Sequence, residues 1–162
     1  MKKESIRSRR TLLVLLMLLT LFLTPVMSRE VQAAKAGFKT INGKTYYITK
    51  SGAKQKGWLT LKGNKYYFNK KTGVQLKGWQ KDSKGKNIRY FTKGKGVMVT
   101  GFLKSGSVTR YFRPSNGKLV RGWLTLNGRK YYFTSGNGAM VKGWQTTSKK
   151  EKRYFKSNGV LL

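Results

Sequence analysis

Six aromatic residues, each placed directly after a glycine, carry the main chemical potential of this sequence: Phe38, Trp58, Trp79, Phe102, Trp123 and Trp144. A tyrosine follows each of them within the same stretch, at Tyr47, Tyr67, Tyr90, Tyr111, Tyr132 and Tyr154. An aromatic platform suits the flat apolar face of a sugar ring. It also attracts a cation through its π-cloud. A basic neighbour adds a hold on phosphate or carboxylate. The six Gly-aromatic rings are therefore candidate ligand-binding positions. A second use is open to the six Gly-aromatic rings, which is to pack one repeat against the next.

Bond-making chemistry has little to work with. The chain has no His and no Cys, so general acid–base catalysis near neutral pH and thiol nucleophiles lose their usual residues. Beyond residue 33 the only carboxylates are Asp82 and Glu151, 69 residues apart. They stand at non-equivalent places in their repeats and do not form the pair that would flank a glycosidic bond. Clustered metal ligands are missing too. The expectation is no enzyme, no cofactor and no metal.

The rings are positioned by a tandem array. The Gly-aromatic steps recur at intervals of 20, 21, 23, 21 and 21 residues, which divides the chain into units 37–56, 57–77, 78–100, 101–121, 122–142 and 143–162. Within a unit two short aromatic or β-branched runs flank a turn, as half-buried strands favour. Asn42-Gly43 and Asn127-Gly128 are strong signals for a tight hairpin with positive φ at both central residues, and Lys62-Gly63 is a weaker one. A second glycine (Gly52, Gly73, Gly96, Gly117, Gly138, Gly159) turns the chain again before the next unit. No window has a helical period. The fold class expected is all-β, a solenoid of about six stacked β-hairpins, because a lone hairpin is marginal in water. Units two and five, three and six, and one and four begin alike. This longer repeat predicts roughly three hairpins per turn.

Residues 1–33 read differently. A basic head (Lys2, Lys3, Arg7, Arg9, Arg10), an apolar run at Leu12–Leu23 and the small-residue exit Val31-Gln32-Ala33-Ala34 are the parts of a secretory signal peptide. The apolar run is too short for the ~20 residues of a spanning helix. Cleavage is expected after Ala33, with Ala36 as the alternative and 34–36 as a short linker. What remains holds 30 basic and two acidic residues, a net charge of +28. Such a charge concentrates anions around the chain. Teichoic acid, an acidic polysaccharide, nucleic acid and an anionic membrane face all fit it.

The pattern of Gly-Trp, about six residues, an aromatic doublet such as Tyr66-Tyr67 or Tyr131-Tyr132, then Gly-x-Met or Gly-x-x-Leu resembles the cell wall-binding repeat family. That family takes in choline-binding modules, glucan-binding repeats and the C-terminal repeats of large clostridial toxins. The resemblance runs from Gly37 to Leu162. It implies hairpins wound into a left-handed solenoid, with ligand pockets between neighbours built on the twelve rings named above. In choline-binding members an aromatic triplet helps to form the cage. Here the first triplet position is Thr45, Lys65, Ile88, Thr109, Lys130 or Lys152, never aromatic. A lysine in the cage would repel a quaternary ammonium, so choline is disfavoured as a partner.

The expected function is a secreted, non-catalytic module that binds cell-wall polysaccharide, glucan or teichoic acid and is held non-covalently at a Gram-positive wall. No Cys is available for a lipid anchor and no covalent membrane anchor is expected. The competing expectation is an exported cationic protein that binds nucleic acid or anionic membranes, whose hold would collapse with salt.

Overall fold

The computed structural model describes residues 35–146 and 151–162; the expected signal segment lies outside them. Every regular element among the described residues is a strand, and the twelve strands form six antiparallel hairpins. These are β1 (Gly37–Ile41) with β2 (Lys44–Ile48), β3 (Gly57–Leu61) with β4 (Asn64–Phe68), and β5 (Gly78–Lys81) with β6 (Ile88–Phe91). The second half has β7 (Gly101–Ser105) with β8 (Val108–Phe112), β9 (Gly122–Leu126) with β10 (Arg129–Phe133), and β11 (Gly143–Thr146) with β12 (Lys152–Phe155). The expected all-β hairpin solenoid is what forms.

The turns follow the chemistry of their residues. Asn127 and Gly128 both have positive φ, 49° and 73°, as do Asn42-Gly43 and Lys62-Gly63. That is the backbone of a two-residue turn whose twist matches the flanking strands. In unit three a longer loop is closed by Asp82. Its backbone N–H donates to the Asn87 carbonyl, its carboxylate accepts from the Lys86 N–H at 3.0 Å, and the Asn87 side chain donates to it as well.

No ladder joins one hairpin to the next, so side chains must do most of the stacking. Strand alternation gives each hairpin two faces. One face holds the first residue of the doublet and the aromatic or aliphatic residue after the doublet. There Phe68, Phe91, Phe112, Phe133 and Phe155 are between 0 and 2% exposed, and Ile48 takes the same place in unit one. Each such ring contributes about 1.5–3 kcal/mol by leaving water. The other face holds the Gly-aromatic ring and the second doublet tyrosine. It meets the first face of the following hairpin: Trp58 lies on Phe91, Trp79 on Phe112 and Trp123 on Phe155, with ring centres 5.9 to 6.2 Å apart.

One backbone hydrogen bond per junction sets the register. The N–H groups of Gln75, Met98, Leu119, Met140 and Leu161 donate to the carbonyls of Thr45, Lys65, Ile88, Thr109 and Lys130 in the preceding unit, at 2.7 to 2.8 Å. The Gln75, Met98, Leu119 and Met140 side chains then lie under the turn glycine of the following unit. Gly138 shows the constraint: its φ is +67°, and a Cβ there would stand 2.9 Å from Leu119 Cδ2. The substitution Gly138→Ala should therefore cost about 2 kcal/mol or more, from the left-handed backbone and the overpacking together. Gly136→Ala, two residues away, meets nothing within 4 Å and has no positive φ. It should stay within about 0.5 kcal/mol of the parent in thermal unfolding followed by circular dichroism.

Candidate functional site

The twelve candidate residues fall into six cross-strand pairs. Phe38 stands opposite Tyr47, Trp58 opposite Tyr67, Trp79 opposite Tyr90, Phe102 opposite Tyr111, Trp123 opposite Tyr132 and Trp144 opposite Tyr154. Their ring centres are 4.8 to 5.3 Å apart and their planes inclined by 51° to 80°. Such tilted geometries let the edge of one ring meet the face of the other. The second doublet tyrosine is thus the one that shares a face with the Gly-aromatic ring. The first, at Tyr46, Tyr66 and Tyr131, is buried in the stack. Tyr111 is also buried, whereas Tyr154 is exposed.

The Gly-aromatic rings do not form the core; the phenylalanine spine does. Phe38, Trp58, Trp79, Phe102 and Trp123 keep 41 to 48% of their surface in solvent, and Trp144 keeps 68%. The first five are each backed on one side by the following hairpin and open on the other. That placement answers the question left by composition: the rings both seal the junctions and present a face.

What covers each ring from the following unit differs. Phe38 meets Tyr66 at 5.1 Å and Phe102 meets Tyr131 at 5.6 Å. Trp58, Trp79 and Trp123 instead lie beneath the guanidinium carbons of Arg89, Arg110 and Arg153, at 5.6, 5.2 and 5.4 Å from the ring centre. These distances are within cation–π range. The three arginines stand at the first doublet position, where Tyr46, Tyr66 and Tyr131 stand in other units. No spacing within a single repeat marks them as ring partners. Their signal was present as Arg in place of Tyr, recurring in units three, four and six.

Shallow hollows of about 260 to 370 Å³ lie beside these rings. The hollow on Trp58 is bordered by Lys65, Arg89, Met98 and Asn116, so three successive units share it. Equivalent hollows occur on Trp79, with Lys81, Arg110 and Arg121, and on Phe38, with Tyr66, Gln75, Lys77 and Lys95. Gln75 is buried and donates through Nε2 to the Lys95 carbonyl at 2.9 Å. The first triplet position is therefore a wall of the hollow where it is Lys65, Ile88 or Thr45. Hollows of this size suit a small group, such as one sugar ring, a phosphate or a quaternary ammonium.

Acidic groups offer the hollows almost no counter-charge. Asp82 lines a second hollow on Trp58 and is engaged in closing its own loop. Glu151 pairs with Arg153 at 2.7 Å. The hydrogen bond from the Asn87 side chain, with backbone N–H groups assisting, holds the Asp82 carboxyl below its ordinary value. No group of three or more metal-ligating side chains occurs among the described residues.

The family model for the choline-binding repeat matches residues 35–73, 58–101 and 120–162, more than half of the chain. Among solved structures, choline-binding protein F from Streptococcus pneumoniae is similar at 30% identity and a TM-score of 0.70, with 79% of this chain and 42% of that one aligned. CbpJ from Streptococcus pneumoniae TIGR4 is similar at 29% identity and a TM-score of 0.70, over 79% of this chain and 42% of that one. The multimodular pneumococcal endolysin of phage Cp-1, solved in complex with choline, is similar at 28% identity and a TM-score of 0.50, over 82% of this chain and 39% of that one. Protein F has also been solved with ipratropium and in the presence of a tetrasaccharide-pentapeptide peptidoglycan analogue. The chain thus spans about two fifths of the length of these structures. No curated protein matches it. The expectation that choline is disfavoured draws no support from these relatives.

Two measurements check this site. The variant Phe91→Ala should lose about 3–5 kcal/mol of stability, whereas Trp58→Ala on the same junction should lose roughly half as much, because much of that ring stays in water. Acid titration is the second. A carboxyl whose folded pKa is lowered contributes fully above its unfolded value and loses that contribution as pH falls through the folded one. The Lys86 amide resonance should therefore titrate with a midpoint below 3.8.

Proposed function

The chain belongs to the choline-binding repeat family, and on that premise we propose that it is a non-catalytic, wall-associated module that holds a phosphate-bearing glycopolymer across several junctions at once. The observation that carries this reading is the pairing of half-open aromatic rings with basic side chains in the same hollows. A sugar ring lies on the aromatic face. A neighbouring phosphate meets Lys or Arg. Each contact is weak, and repetition along the solenoid supplies avidity. In this reading residues 1–33 direct export, 34–36 form a linker, and the six units 37–162 attach the protein to a Gram-positive wall without a covalent bond.

Catalysis has no place in the proposal, since Asp82 and Glu151 are both committed to neighbouring groups of the fold. A second reading, capture of choline on the aromatic faces, is favoured by family membership and by the relative solved with choline. The nucleic-acid alternative would also use both the cations and the exposed rings, on which bases can stack; its binding would collapse with salt and show no preference for walls.

Retention on purified Gram-positive walls tests the proposal. The protein should bind walls that carry teichoic acid and lose at least about tenfold in affinity on walls stripped of it. Part of the binding should survive in roughly 0.5 M salt, where purely electrostatic attachment fails. Free choline should displace little of it. Equal failure on both kinds of wall sinks the proposal, and complete displacement by choline replaces it with the second reading.

A further inference from the structure

The five junctions come in two kinds, and the difference lies in two positions that change together, the ring and the residue that covers it. Where the ring is phenylalanine, the following unit covers it with tyrosine: Phe38 with Tyr66, and Phe102 with Tyr131. Where the ring is tryptophan, the following unit covers it with arginine: Trp58 with Arg89, Trp79 with Arg110, and Trp123 with Arg153. Tryptophan is the ring with the strongest attraction for a cation. Each tryptophan junction thus supplies both halves of a cation–π pair from its own chain.

We propose that Arg89, Arg110 and Arg153 decide ligand class at the tryptophan junctions: each guanidinium takes the place an external ammonium would occupy on the ring, and turns the junction into a receptor for phosphate. This proposal rests on the wall-polymer reading and sharpens it. Three observations carry it. The ring is already engaged by a cation, and a second cation beside it would meet like charge. The guanidinium is oriented, because Arg89 donates through Nε to the Asn116 carbonyl at 2.9 Å and Arg110 donates likewise to Asn137 at 3.0 Å. That bond uses one of the five N–H donors of the fork, and the remaining fork is the geometry that matches a phosphate. Finally, further cations wall one hollow lined by Arg89 and the hollow lined by Arg110, while Asp82 borders only a second hollow on Trp58 and is engaged in closing its own loop. Lys65 stands with Arg89, and Lys81 and Arg121 stand with Arg110.

The junctions should not be equal. Arg153 is paired with Glu151 at 2.7 Å, so part of its charge is answered within the chain. Arg110, with two basic neighbours in its hollow, is the strongest of the three. The phenylalanine junctions lack the arginine, and with Lys77 and Lys95 beside Phe38 they are left for sugar or for an uncharged headgroup.

Tryptophan fluorescence separates the two kinds of junction, since Phe38 and Phe102 have no indole to report. The parent for the experiment carries Trp144→Phe, which leaves only the three tryptophans that lie beneath an arginine. Titrated with sodium phosphate at constant ionic strength, the parent should show a saturable change in emission. Titrated with choline chloride, it should show none. Replacing the three arginines (Arg89→Gln, Arg110→Gln, Arg153→Gln) should weaken the phosphate response at least about tenfold and create a choline response. The single variant Arg110→Lys, which keeps the charge and leaves two junctions untouched, should weaken phosphate less than Arg110→Gln does. A saturable choline response with the arginines in place overturns the proposal, as does an unchanged phosphate response without them. Wall retention measured on the same proteins keeps the two readings apart. Failure to bind walls with the phosphate response intact counts against the wall-polymer reading, and firm wall binding that ignores the arginines counts against this one.

Discussion

Every feature of this protein depends on one contact, the laying of a buried phenylalanine face on the open aromatic face of the hairpin before it. A two-stranded hairpin has too little surface to be stable alone. Here no hairpin borrows a strand from its neighbour, and each junction is given one short backbone hydrogen bond to set its height. The remainder of the stability has to come from rings. Stability is then close to a sum over neighbouring contacts, which is the defining energetic property of a linear repeat. Chemistry inherits the same periodicity: a ring that seals one junction must also face outward at its edge, so each structural joint is a place where a ligand can lie.

The glycines make that stack geometrically possible. The turn glycine sits on a side chain of the unit before it, with its backbone in the left-handed region, and the residue under it is Gln75, Met98, Leu119 or Met140 according to the unit. Polar and apolar side chains are both accepted there. Only the absence of a Cβ above them is held constant. The repeat thus keeps its backbone plan while the walls of each hollow vary, from Gln75 beside Phe38 to Met98 beside Trp58 and Leu119 beside Trp79. Variation of this kind is how one scaffold carries several ligand preferences.

Much of the architecture was legible in the sequence because it is written in residue types with narrow backbone uses. The Asn-Gly and Gly-aromatic steps mark hairpins and unit boundaries directly, and the six Gly-aromatic rings do meet the six tyrosines that the family resemblance implied, as cross-strand pairs. Strand alternation also required that one tyrosine of each doublet differ from the other. It could not say which, because parity within a strand does not reveal which face a neighbouring hairpin will cover. The phenylalanine spine was hidden for the same reason: Phe91 and Trp79 are equally apolar on paper, and only stacking buries the first and leaves the second half in water. The arginines over tryptophan were missed because their partners lie in the preceding unit. A cation beside a ring 31 residues earlier, as with Arg89 and Trp58, has no signature within any one repeat.

Beyond residue 33 the chain has 30 basic residues and two carboxylates, and both carboxylates are held by groups close to them in sequence. Internal acidic partners therefore neutralise little of the positive field. The fold uses rings and carbonyls in their place: Arg89 and Arg110 lie between a tryptophan face and a backbone oxygen, and Lys54 lies over Tyr46 at 4.2 Å. Partial negative charge on a π-face or a carbonyl can orient a cation without cancelling it. These cations are held in place yet still carry their full charge. An anionic polymer laid along the stack would find these charges already arranged, so little ordering of side chains has to accompany binding.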